Sequence, residues 1–395
     1  MKIDAPLADT PRPASPDAHA VSLSQVPPRE WDDAALRRRW SELVESAEHV
    51  NAVYASPEWF DHLRRVTPAE ELLLITARDA AGELVGVVPV RVEREELQYD
   101  VASRALLRWR PRVASILGSV PLLPEDARLS ARLCEILLDA RLGCDGIYLD
   151  TAPVESAFRK FAAEESARLG LLAYFPYGAR PWHLVRFPSQ EEEYFSQLKG
   201  KVRNDLKRRT KKLSEHCGDQ LELVRVDAAE QVDSFVADAA RVSHNSWQHE
   251  AIGTRVADSG EQRRHLLSLA EGGMLRSYLL RCGERPCAFV LGYQHEDVYH
   301  YAEIGYDRDF TNFSPGMVLY YLLVRDLFAH RPPSMLNFGR GDAVYKQRFG
   351  NVRREDVSIF LMRKTLRNRL RVGSHEAFRS LVSAARRAVR KVKPA

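Results

Sequence analysis

The period of the apolar positions changes repeatedly along this chain, and each change marks an element. Over 298–305, Val298, His300, Ala302 and Ile304 alternate with Tyr299, Tyr301, Glu303 and Gly305, the two-residue repeat of a strand with unlike faces. That alternation puts two tyrosines and a carboxylate on one face. From Met317 the repeat turns helical, through Val318, Leu319, Leu322, Leu323, Leu327 and Phe328. Ser314-Pro315-Gly316 stands ahead of it, a serine N-cap with proline at the first helical position. A short strand over 336–338 follows, broken by Gly339-Arg340-Gly341-Asp342. Upstream, 277–282 and 287–294 predict a hairpin, and 357–361 downstream predicts a closing strand.

The first half also alternates between helix and strand. Helical spacing over 31–47 and a second start at Ser56-Pro57 are followed by strands over 72–77 and 84–92. A helix at 130–141, a strand at 146–150 and a helix at 156–169 complete an α/β pattern, a sheet with helical cover. The boundary between halves falls near 182–189. Beyond it, Phe195, Leu198, Val202, Leu206 and Leu213 form one helical stripe over 195–213, surrounded by Lys199, Lys201, Arg203, Lys207, Arg208, Arg209, Lys211 and Lys212. A further helix over 232–247 carries Arg241, His244 and Trp247.

Charge changes this picture at one end. The formal net charge is +4, yet 363–395 holds eleven Lys/Arg against the single Glu376, a surplus of ten that leaves the rest of the chain at −6. Phe378, Leu381, Val382, Ala385 and Val389 share a helical face there, so the tail predicts a basic amphipathic helix suited to an anionic membrane surface. A chain of 395 residues with 45% hydrophobic content suits two domains. Residues 1–29 read as a leader without structure or secretory signal. No apolar run approaches the roughly 20 residues of a bilayer span. Five cysteines without CxxC or Cys/His ligand spacing argue against a disulfide framework and a metal site, and favour a reducing compartment.

The chemistry-bearing stretch lies between Val298 and Gly350. The first turn of the helix behind Ser314 offers unpaired N–H groups and the positive end of the helix dipole, a place for a phosphate that Gly316 leaves open. Asp342, Tyr345 and Lys346 are spaced so that they can converge.

The order NFSPG, helix, FGRGDAVYKQRFG, preceded by the basic RNDLKRRTKKL helix, resembles the CelD/BcsL-like acyltransferase family of the GNAT superfamily, relatives of the FemAB aminoacyltransferases. The resemblance spans about 54–360 as a series of short motifs, the most specific being Gly341-Asp342-Ala343-Val344-Tyr345-Lys346; Phe349 stands where the family commonly has Trp. It implies an α/β (α+β) fold of two GNAT-like lobes, each a mixed, mostly antiparallel sheet covered by helices, over 30–185 and 186–362, with the tail at 363–395. It implies no bound cofactor or metal but acetyl-CoA or another acyl-CoA as co-substrate, held by Ser314, Pro315, Gly316, Met317 and Arg203. Glu303 or Asp342 would act as base and Tyr345 as acid, with Lys346, His244 and Trp247 on the acceptor side.

The expected activity is N-acyl transfer to the amine of an amino sugar or envelope polysaccharide precursor, in the cytoplasm at the inner face of the membrane. The partners expected are that small-molecule or glycan acceptor and, through the tail, the membrane surface. Two other readings stay open: a FemAB-like enzyme taking its acyl group from charged tRNA, and a non-catalytic scaffold. No RNP-type or other nucleic-acid motif is present, which ranks the tRNA reading lower.

Overall fold

A computed structural model of the chain describes residues 21–47, 49–101, 104–246 and 255–392. The strands are β1 Ser22–Gln25, β2 Leu72–Arg78, β3 Leu84–Arg94, β4 Leu97–Val101, β5 Arg104–Trp109, β6 Arg112–Ile116, β7 Gly146–Pro153, β8 Leu171–Tyr174, β9 Arg180–Arg186, β10 Leu221–Val226, β11 Ser277–Cys282, β12 Arg285–His295, β13 Val298–Tyr306, β14 Met335–Arg340 and β15 Val352–Arg363. The α-helices are α1 Ala34–Glu45, α2 Pro57–Val66, α3 Ala127–Leu137, α4 Ala157–Glu164, α5 Glu191–Gln197, α6 Gly200–His216, α7 Val232–His244, α8 Gly260–Glu271, α9 Pro315–Ala329, α10 Val344–Phe349 and α11 Leu366–Val392.

Thirteen strands form one sheet in the order β1-β2-β3-β6-β7-β15-β9-β14-β13-β12-β11-β10, with β8 also on β15. Each half is an antiparallel run closed by one parallel pair, β6 with β7 in the first and β13 with β14 in the second. The last strand of each half crosses over. β9 pairs with β14 of the second half, and β15 pairs with β7 of the first. β15 and β9 then pair with each other at the centre. Neither half completes its sheet alone, so the two lobes are one packed body.

Local chemistry explains the starts of the elements that frame the site. Ser56 caps α2 by accepting from the Trp59 N–H, and Pro57 takes the first helical position. Helix α9 buries Val318, Leu319, Leu323, Val324 and Leu327 against the sheet, the apolar stripe that its spacing predicts.

Several expectations change. The helix expected over 195–213 is two, because Leu198 is extended (φ −70°, ψ 142°) between α5 and α6. The described part of the leader supplies β1, which pairs with β2. The tail helix is docked: Asn368, Val372 and His375 are buried, and His375 bonds Tyr174 Oη and the Gln98 carbonyl. Cys217 and Cys282 form a disulfide across 65 residues, which overturns the reading against one. Pairing of β10 with β11 brings the end of α6 to the end of β11, a proximity that linear spacing does not carry. The argument for a reducing compartment loses that support. Among the described residues, no helix is long and apolar enough to cross a membrane.

Candidate active site

The site opens where two neighbouring strands part. β13 and β14 pair only at Val298↔Met335, Tyr299↔Leu336 and His300↔Asn337; β13 then runs on to Tyr306 and β14 to Arg340. A cavity of about 770 Å³ fills the divergence, the size of a small-ligand or cofactor site. A bulge shapes its wall: Leu291 pairs with Glu303 and Gly292 with Tyr301, leaving Ala302 as an extra residue. The alternation therefore slips. Ile304 and Tyr306 join Tyr299 and Tyr301 in the cluster under α9, while Glu303 turns to Arg255, whose Nε donates to its carboxylate at 2.6 Å. The expected grouping of Glu303 with the two tyrosines does not occur.

One end of the cavity is the start of α9. Ser314 occupies the cap position in the left-handed region (φ 53°, ψ 56°) and makes no side-chain cap bond, contrary to expectation. Its hydroxyl instead accepts from the Arg209 guanidinium, which Asp205 steadies at 2.7 Å. The Met317 and Val318 N–H groups both bond the Ser314 carbonyl, and the Gly316 N–H has no backbone partner among the described residues. Among the described residues, a Cβ on Gly316 would meet only the Tyr306 ring, at 3.8 Å. The space in front of this helix end is open, as an anion site requires.

Titratable groups gather midway. Burial raises the Glu303 carboxyl above its ordinary value, and the charge and hydrogen bond of Arg255 oppose this. Burial pushes the Tyr345 phenol up to about 12, with the charge of Glu303 adding to it. Lys346 is buried, and its Nζ donates to the carbonyls of Phe338 at 2.7 Å and Arg340 at 2.6 Å. Burial pushes that amine down to about 8, although Glu303 favours its charge.

The far end is aromatic and polar, built from Tyr54, Trp182, Tyr293, His300 and Asn337. Asn337 Oδ1 accepts from Trp182 Nε1 at 2.7 Å and from the Gly339 N–H at 2.8 Å. Two obligatory donors thus fix the amide's orientation. Its Nδ2 donates to Asn51 Oδ1 at 2.9 Å and faces His300 Nδ1 at 3.4 Å. Nδ1 is therefore the acceptor on the ring, and the proton sits on Nε2. Burial holds this imidazole neutral, at about 3. His300 stacks on Tyr293 at 4.8 Å, and its buried Nε2 has no partner among the described residues. A buried, unsatisfied donor is costly unless a ligand meets it.

Of the residues expected from sequence, Glu303, Tyr345, Lys346, Ser314, Gly316 and Met317 all line this cavity. Pro315 is buried beside them at the first position of α9. Asp342 lies outside the lining, its side chain 52% exposed, and its carboxylate accepts from His183 Nε2 at 2.9 Å. Hydrogen bonding by Gln347 and His183 holds that carboxyl below the usual range. Arg203 and the exposed His244 also lie outside the lining. Trp247 lies outside the described residues. Sequence reasoning missed Arg255, His300, Asn337 and Tyr54, and preferred Arg203 to Arg209. Four-residue spacing from Asp205 was the available signal for Arg209. The others depend on tertiary approach.

Residues 200–347 match the profile described as acetyltransferase (GNAT) domain. A search of the curated proteins returns no match. Among solved structures, that of FemX is similar at TM-score 0.59 and 12% identity, covering 88% of this chain and 98% of that one. A tandem GNAT protein from the clavulanic acid biosynthesis pathway is similar at TM-score 0.50 and 10% identity, covering 87% and 99%. The fold is thus that of two GNAT-like lobes in one chain. Residues 200–347 thus carry a GNAT-type acetyltransferase domain, and the parted strands and the open helix start both lie within it.

Proposed function

We propose that the protein transfers an acyl group, acetyl or a longer chain, from acyl-CoA to the amine of an amino sugar or a related envelope polysaccharide precursor. The observation that carries this reading is one cavity with three successive environments. It runs from the open helix start at Gly316, past Glu303, Lys346 and Tyr345, to the aromatic end at His300 and Trp182. The pyrophosphate would sit at the first, where N–H groups and the helix dipole favour negative charge. The thioester would lie along the parted edge of β13, whose backbone N–H groups can polarise its carbonyl oxygen.

The amine attacks the thioester carbon, the C–N bond forms, and the C–S bond breaks. Glu303 accepts the proton that the acceptor's ammonium must lose before its nitrogen can attack, a task that its burial-raised affinity for protons suits. Tyr345, protonated through the neutral range, gives a proton to the departing thiolate and regains one from the nitrogen as the amide forms. Lys346 contributes positive charge and ties Phe338 and Arg340 in place. Asp342, outside the lining and more acidic than usual, is the weaker candidate base. The aromatic rings at the far end suit the apolar face of a sugar, and the His300 Nε2–H suits one of its oxygens.

The test is calorimetric titration with acetyl-CoA and longer acyl-CoAs, followed by thiol release in the presence of a panel of amino sugars. Binding of an acyl-CoA with acceptor-dependent thiol release supports the reading. Absence of binding to every acyl-CoA removes it and directs effort to charged tRNA as donor.

A further inference from the structure

The tail helix α11 presents two opposite faces. Asn368, Val372, His375 and Arg379 recur at intervals of four, three and four residues, and this face docks on the first half. The first three are buried, and Arg379 stacks on the Tyr177 ring at 5.0 Å. Leu366, Leu370, Ala377, Leu381 and Ala384 recur at intervals of four, seven, four and three. They run two residues out of phase with the docked set, which at 3.6 residues per turn is the opposite side of the helix. Leu366, Leu370 and Leu381 are 75%, 64% and 70% exposed. This stripe, about 27 Å long at 1.5 Å per residue, cannot be a core face, because the core lies behind the helix.

The β4–β5 hairpin adds a second part beside it. Leu107, which pairs with Tyr99 within it, is 60% exposed. Between hairpin and helix lies a cleft of about 470 Å³ lined by Arg94, Arg108, Arg110, Arg367 and Arg371 with Trp109. Arg371 stacks on Trp109 at 5.5 Å, and the Trp109 Nε1–H is buried without a partner among the described residues. The acidic groups against these five guanidiniums are Asp145 in the cleft and Glu96, which pairs with Arg108 and Arg110. Exposed leucines set among arginines, with an indole between them, match the boundary between acyl chains and phosphate headgroups.

We infer that α11 and the β4–β5 hairpin form a membrane-docking face, with the leucine stripe entering the interface of an anionic bilayer and the arginine cleft taking lipid phosphates. The charge surplus of the tail selects anionic over zwitterionic lipid. The helix lies in the plane of the surface, since its other face is committed to the protein. A soluble polyanion would need the arginines but not the leucines, and a second copy of this chain would need no lipid.

The test is vesicle co-sedimentation of the full chain with phosphatidylcholine, with and without phosphatidylglycerol, using two pairs of exposed substitutions. Partition onto the anionic vesicles alone is expected. Leu370→Glu/Leu381→Glu is expected to lower it about tenfold or more by removing inserted apolar surface. Arg108→Ala/Arg367→Ala is expected to lower it by a similar factor, at about fivefold for each charge lost. Circular dichroism and acyl-CoA binding identical to wild type establish that the variants fold. No partition at low salt, or equal partition onto both vesicle types, overturns the inference. Loss with the arginine pair but not the leucine pair would make the face a polyanion site. A dimer in sedimentation velocity that Leu370→Glu dissolves would assign the stripe to a second copy, and either result overturns the membrane reading.

Discussion

Gly316 offers the sharpest test of where the donor binds. Among the described residues, a Cβ built there meets only the Tyr306 ring carbon, at 3.8 Å, and the residue is not in the left-handed region. Gly316→Ala therefore fits without strain and should raise stability by roughly 0.5–1 kcal/mol, through lower chain entropy in the unfolded state and better helix propensity. A glutamate at this position complements the helix dipole, so Gly316→Glu should fold as well as wild type. Its carboxylate would stand about 5 Å from a bound phosphate. At an effective dielectric of about 20 this repulsion is about 3 kcal/mol, and partial solvation reduces it to about 1.5–3 kcal/mol. Acyl-CoA affinity measured by calorimetry should then fall about ten- to a hundredfold, and part of the loss should return at high salt. The alanine variant should bind more weakly than wild type despite its greater stability, because its methyl group occupies the approach to the Gly316 N–H. Wild-type affinity in both variants would refute the placement of the pyrophosphate at α9.

Three further outcomes follow from the site. Glu303→Gln should lower kcat about 10²–10⁴-fold with little change in acyl-CoA affinity, whereas Asp342→Ala should keep most turnover; the wild-type kcat/KM profile should lose activity on the acid side above the ordinary carboxylate value of 4.5, as the raised Glu303 requires, and equal losses in both variants would contradict the assignment. His300→Phe removes the unsatisfied donor, so thermal unfolding should rise or hold while the acceptor KM increases; an unchanged KM would detach His300 from substrate. Lys346, at about 8 when folded against an ordinary 10.5, makes the unfolded chain the better proton binder between those values, so its stability penalty of about 3 kcal/mol is complete near neutrality and fades as pH rises toward about 10.5. Urea unfolding at about pH 7 and pH 10 should therefore show wild type gaining on Lys346→Met by about 2 kcal/mol or more, and a pH-independent difference would remove the inferred burial of charge.

The lobes differ in how much of their architecture could be read from sequence. Local signals are strong where one residue type has one physical use. Ser56-Pro57 starts α2 and Pro315 starts α9 because proline fits the first helical position and few others. The 277–294 hairpin and the strand from Val298 follow from period-2 patterning. The same signals fail where geometry is cooperative. Ser314 has the composition of a cap, but Arg209 claims its hydroxyl. The alternation through Tyr299, Tyr301 and Glu303 is real in sequence and is undone by the bulge at Ala302.

What the sequence by itself determined is the order of the strongly patterned elements, the helix start at Gly316 and the basic tail, all properties of neighbours along the chain. Only the tertiary structure decided the exchange of β9 and β15 between lobes, the parting of β13 from β14, the meeting of Glu303 with Arg255, the Cys217–Cys282 bond and the outward face of α11. Each of these joins groups far apart in sequence. Their proximity is set by sheet register and by which face a helix buries, and a linear pattern of residues encodes neither.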